Sequence, residues 1–106
     1  VSTVVCKMDD HHAIIDAGSK TLTTDLCGHR PGYGWVVGHP EIRITKLNEE
    51  HGFVESDEPL PFEIGDKIAI IPNHACVLPN LVDKIYGIRN GRIERMIPIE
   101  ARGRYL

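Results

Sequence analysis

A chain of 106 residues, 42% apolar and 25% charged with a formal net charge of −3, has the size and make-up of one ordinary globular domain. Its basic residues gather on no patch or helical stripe, which argues against nucleic-acid binding, and no apolar run approaches bilayer-spanning length, so no membrane partner is expected. Three cysteines at irregular spacing give no disulfide framework, so a reducing, cytoplasmic setting is expected.

The chain opens on Val1 rather than Met, directly in a strand-like run. That is the pattern of a processed product or of a piece excised from a longer protein. The segment VSTVVCKMDDHH lacks the basic leader and apolar core of a signal peptide.

The β-branched stretch from Val1 to Met8 predicts a strand, Asp9 and Asp10 a turn, and His12 to Ala17 a returning strand. Gly18 breaks the pattern. Residues 19 to 27 are ambiguous, with their threonines arguing against helix. Gly28 to Gly34 reads as loop and Trp35 to Val37 as a short strand. In PEIRITKLN, residues 40–48, Ile42 and Ile44 share one phase, but the next apolar residue is Leu47 where the phase asks for Lys46. That predicts a half-buried strand with a bulge near its end.

His51 and Gly52 form a turn, Phe53 to Glu55 a return strand, and residues 56–62 a proline-containing loop. Lys67 to Ile71 is apolar and β-branched, the pattern of a strand with both faces buried. One helical or 3₁₀ turn is expected over Pro79 to Val82. Lys84–Arg89 and Arg92–Pro98 flank Asn90-Gly91, the strongest short-range hairpin signal in the chain. Residues 99–106 form a tail. Many short strands and no sustained helical period predict a mainly β fold. It would be a small single-domain β-barrel or sandwich with at most one or two short helical turns.

The chemistry concentrates at His74 and Cys76, one residue apart after Pro72-Asn73. On an extended backbone, residues i and i+2 face the same side. An imidazole nitrogen and a thiolate would then converge on one point, a donor pair that zinc favours. Two ligands leave coordination positions open, as a catalytic metal requires. Cys27 and His29 repeat the one-residue gap, so a closed site of Cys27, His29, His74 and Cys76 is a minor alternative.

Four blocks stand in order: IIDAGSKTLTTD at 14–25, NEEHG at 48–52, GDKIAIIPNHAC at 65–76 and NGRIERMIPIEARG at 90–103. Together they resemble the C-terminal β domain of the D-serine dehydratase and D-threonine aldolase family, pyridoxal-phosphate enzymes of the alanine-racemase fold type. The resemblance covers nearly the whole chain, 1–106. It implies that His74 and Cys76 are the ligands of zinc or another divalent metal and act catalytically through it. Cysteine at the second position is closer to the dehydratase branch than to the aldolase branch. It also implies a separate N-terminal (β/α)₈ barrel that carries the cofactor's lysine, a small D-amino-acid substrate, and a homodimer as the full enzyme. Lys20 is not assigned the cofactor role, and this chain is expected to be inactive without the barrel.

His51 and Tyr33 are candidates for the substrate pocket. Asp16 and Asp25 read as turn closers; His11, His12, His29 and His39 as loop surface; Trp35 as core or interface. Three readings compete. The chain is the metal-bearing domain of a two-part lyase, a self-standing metal-binding β module, or a structural or interaction domain without chemistry.

Overall fold

The structure is a computed structural model that describes residues 1–104. The chain divides into two compact units, Val1–His74 and the residues from Ala75 onward. In the first unit, strands β1 (Ser2–Lys7) and β2 (His12–Ile15) form the expected hairpin. A single helical turn, α1 (Ser19–Leu22), comes next. Then come β3 (Trp35–Val36), β4 (Arg43–Leu47), β5 (Gly52–Glu55), β6 (Lys67–Ile68) and β7 (Ile70–Ile71). Five of them build an antiparallel sheet in the order β4-β5-β2-β1-β6, and β3 pairs with β7 in a second ladder.

The core of this unit obeys the alternation. Ile42 and Ile44 are both buried, and Val4, Ile15, Val36 and Val54 join them. The β4–β5 register shifts between Ile44 and Lys46, where the break in phase predicts a bulge. The helical turn is the departure. Its threonine is tolerated because the first backbone N–H groups are satisfied from outside the turn. Ser19 and Lys20 donate to the carbonyls of Asn48 and Glu49 at 2.8 and 3.2 Å, and buried Leu22 anchors the turn in the core.

Lys67–Ile71 is not one strand buried on both faces. It breaks at Ala69 into β6, which pairs with β1, and β7, which pairs with β3. Only Ile68 is buried, and Ile71 is half exposed. The run is apolar because two ladders share it in succession.

Asp16 does more than close a turn. Its Oδ1 accepts from Ser2 Oγ at 2.7 Å and from the Thr3 N–H at 2.6 Å, fastening the start of β1. Partial desolvation raises the Asp16 pKa. The hydrogen bonds from Thr3 and Ser2 and the charge of Lys67 outweigh it and hold the carboxyl below its ordinary value. A lowered folded pKa adds stability above the unfolded value of about 4, and that stability disappears as pH falls through the lowered pKa. Asp16→Asn is therefore expected to reduce the urea midpoint at pH 7, with the gap to wild type closing by about pH 2. A gap that stays constant across that range would refute this linkage.

In the second unit a 3₁₀ turn (Leu78–Leu81) precedes β8 (Lys84–Arg89) and β9 (Arg92–Pro98). Asn90 and Gly91 have φ of 51° and 73°, the two positive values of a type I′ turn. The Asp83 carbonyl accepts from the Ile99 N–H at 2.9 Å, and the Arg102 guanidinium pairs with the Asp83 carboxylate. The last two residues of the expected tail, Tyr105 and Leu106, lie outside the described residues. The fold is mainly β as expected, with one helical and one 3₁₀ turn and no sheet closed into a barrel among the described residues. No helix among those residues is long and apolar enough to cross a membrane.

Candidate metal centre

Strand β7 delivers Pro72, Asn73 and His74 to the loop that comes after α1. The Asn73 side-chain amide donates to two backbone carbonyls of that loop, Asp25 at 3.0 Å and Gly32 at 2.9 Å. This clamp fixes the backbone just ahead of His74. The His74 Nδ1 then lies 2.9 Å from Asp25 Oδ2, with both side chains about half exposed. An ionised carboxylate only accepts hydrogen bonds, so Nδ1 carries the proton in this pair. In the neutral ring Nε2 then keeps its lone pair, the form in which histidine binds a metal.

Asp25 is itself held. Its N–H donates to Thr23 Oγ1, and the Thr23 hydroxyl reaches Asp25 Oδ2, each at 3.2 Å. Thr23 is buried, with φ 63° and ψ 177°. That is a region populated almost only by glycine, and a β-branched residue held there costs on the order of 1–3 kcal/mol. Asp25 therefore does more than close a turn, since its carboxylate also meets His74. Asp25 stands 49 positions from its partner. The local signal, a hydroxyl two residues before a carboxylate, is common to many turns.

Cys76 is a free, exposed thiol. It sits in a turn over residues 75–77 that runs into the 3₁₀ turn. The backbone from His74 to Cys76 is therefore not extended, contrary to the expectation for this pair, because Pro72 and Asn73 end the strand and the chain turns at once. Among the described residues no three of His, Cys, Asp or Glu gather closely enough to hold a metal. The closed arrangement of Cys27, His29, His74 and Cys76 is thus not formed. Cys27 Sγ instead lies 3.5–3.6 Å from the ring nitrogens of His29 on a local turn. An imidazole nitrogen and a thiol are each donor types that suit zinc.

The other candidates are spread through the first unit. Tyr33 packs against the core, and its N–H donates to the Ile44 carbonyl at 3.0 Å. His51 is half-buried, its backbone N–H bound to Asn48 Oδ1 at 2.6 Å. Lys20 pairs with Glu50, whose hydrogen bond and charge raise the lysine pKa. His12 lies on β2 and pairs with Asp9 at 2.8 Å. His39 meets the Phe62 ring edge-on at 5.0 Å, so it is packed rather than loose. His11 contacts the Ser56 carbonyl at 3.1 Å. The Arg30 guanidinium covers Trp35 at 5.0 Å. An open cleft in the second unit, between Asn80, Asp83, Ile99 and Arg102, includes neither His74 nor Cys76.

Comparison with known proteins gives the chain its family. Residues 1–88 match the family described as "Putative serine dehydratase domain". An uncharacterized protein of Mycobacterium tuberculosis is 34% identical over 106 residues, which cover 98% of this chain and 79% of that relative. The 3-hydroxy-D-aspartate aldolase of Paracoccus denitrificans is 31% identical over 98% of this chain but only 25% of its own length. Among solved structures, D-threonine aldolase from Filomicrobium marinum superposes with a TM-score of 0.86 at 28% identity, over 99% of this chain and 28% of the other. A D-threo-3-hydroxyaspartate dehydratase, solved as a cysteine-to-alanine mutant in the metal-free form, gives 0.74 at 25% identity over 90% and 30%. The fold, the ordered blocks and these matches agree: the chain belongs to the serine dehydratase domain family and corresponds to the C-terminal part of the D-serine dehydratase and D-threonine aldolase enzymes.

Proposed function

We propose that this chain is the metal-bearing C-terminal domain of a pyridoxal-phosphate-dependent lyase acting on a D-3-hydroxy amino acid, with His74 and Cys76 as its metal ligands. The observation that carries this reading is the geometry at His74, whose Nδ1 lies 2.9 Å from Asp25 Oδ2 while its Nε2 has no hydrogen-bond partner among the described residues. A D-threo-3-hydroxyaspartate dehydratase among the solved relatives, described as a cysteine-to-alanine mutant in the metal-free form, accords with a metal in that enzyme. A divalent metal held there would act as a Lewis acid on the substrate's β-oxygen.

The chain's own part is to hold the ligands and to form a wall of the pocket, with His51 and Tyr33 as candidate substrate contacts. The cofactor's lysine belongs to a (β/α)₈ barrel outside this chain, and the complete enzyme would be a homodimer. On its own the chain is expected to have no lyase activity.

The test uses the full-length enzyme. His74→Ala and Cys76→Ala are each expected to remove the metal and to lower β-elimination at least about a hundredfold, while cofactor absorbance persists. Cys76→Asp is expected to keep some metal and to shift preference toward harder ions such as Mn²⁺. Unchanged metal content and rate in both alanine variants would place the site elsewhere.

One observation favours a second reading, a self-standing metal-binding module. This chain spans 79% of its M. tuberculosis relative, which leaves no room there for a barrel of about 250 residues. Stoichiometric, tightly held zinc in the 106-residue chain alone would support that reading over the first.

A further inference from the structure

We infer that Asp25, held in place by Thr23 and Asn73, is the positioning residue that presents Nε2 of His74 to the metal. The inference rests on the reading of His74 as a ligand and adds the reason that one nitrogen is offered rather than the other.

Three groups of Asp25, its N–H, its carbonyl and its carboxylate, are all engaged. Its N–H is bound by the Thr23 hydroxyl, its carbonyl accepts from the Asn73 amide, and its carboxylate meets both Thr23 Oγ1 and His74 Nδ1. The buried threonine at positive φ is the second, independent sign. A strained backbone persists only where the surroundings over-determine it, and such positions gather at functional sites.

Here the strain aims a hydroxyl at a carboxylate whose other partner is a histidine. A carboxylate on the remote ring nitrogen selects the tautomer, orients the ring and raises the basicity of the ligating nitrogen. Without Asp25, a half-exposed imidazole would rotate and exchange tautomers with solvent.

The experiment has two readouts on the 106-residue chain. The first is ¹⁵N NMR of the His74 imidazole in metal-free protein, at a pH of about 8.5 where histidine is neutral. The second is Zn²⁺ affinity measured against a competing chelator. Wild type is expected to show the Nδ1–H tautomer. Asp25→Ala is expected to move the ring toward Nε2–H and to weaken zinc by about 10- to 100-fold. Asp25→Asn keeps an acceptor oxygen and is expected to recover the wild-type tautomer and most of the affinity.

An Nε2–H ring in wild type would overturn the inference. So would an Asp25→Ala chain whose tautomer and zinc affinity stay within about twofold of wild type, against the tenfold minimum expected. Those failures leave the ligand reading standing. Equal zinc affinity in wild type and His74→Ala would instead remove His74 from the ligand set and overturn both.

Discussion

Gly18→Ala is expected to destabilise the first unit by about 3 kcal/mol or more. A Cβ at Gly18 would lie 2.5 Å from the Glu49 carbonyl and closer still to that of Asn48. Both are backbone atoms of the loop that accepts the Ser19 and Lys20 N–H groups, so no side chain can swing aside. Gly18 itself has φ −102° and ψ −159°, an extended conformation open to any residue. The effect is therefore steric rather than conformational. Gly28→Ala is the control, because nothing lies within 4 Å of its added methyl. We expect Gly18→Ala to lower the melting temperature by more than about 10 °C and Gly28→Ala to stay within about 0.5 kcal/mol of wild type. Equal melting of the two variants would refute the close approach of these segments.

Ile44→Ala is expected to cost about 2–5 kcal/mol, the range for truncating a buried isoleucine and leaving a cavity. Ile44 is fully buried at the centre of the core, and the loop over residues 28–34 rests on its backbone. The Tyr33 N–H donates to its carbonyl, and a Cβ on Gly32, at φ 87°, would lie 2.8 Å from that oxygen. Gly32 in turn supplies one of the two carbonyls that Asn73 clamps. Ile71→Ala, at a half-exposed position on β7, should cost less than about 1 kcal/mol. Urea unfolding of both variants checks the contrast, and equal midpoints would mean that the core is not centred on Ile44.

Local pattern decided the elements whose causes are local. The alternation at Ile42 and Ile44, the slipped phase at Lys46 and the Asn90-Gly91 turn each determine structure within a few residues, and each appears where the pattern places it. The helical turn at Ser19 could not be read that way, because its N–H partners lie almost thirty positions away on Asn48 and Glu49. The run from Lys67 to Ile71 misled for a related reason. Apolar, β-branched composition reports that neighbours exist, but not that two different strands take it in turn.

At the candidate site, donor chemistry and spacing point to His74 and Cys76. They do not point to Asp25, because a carboxylate in Thr-Thr-Asp looks like any turn residue until the fold brings His74 beside it. The extended link from His74 to Cys76 failed because the residues that end the strand also start the turn.

The β8–β9 hairpin pairs with no third strand among the described residues, and Ile85, Ile88, Ile93 and Met96 remain substantially exposed on it. Its outer edges therefore offer rows of unpaired backbone groups beside apolar side chains, the arrangement that templates edge-to-edge aggregation. What opposes this is the hairpin's own charge. Lys84, Arg89, Arg92 and Arg95 stand against a single acidic residue, Glu94, so two hairpins approaching edge to edge repel one another. That protection is electrostatic and weakens as salt shortens the range of the repulsion. Any association through these edges is therefore expected to strengthen as ionic strength rises.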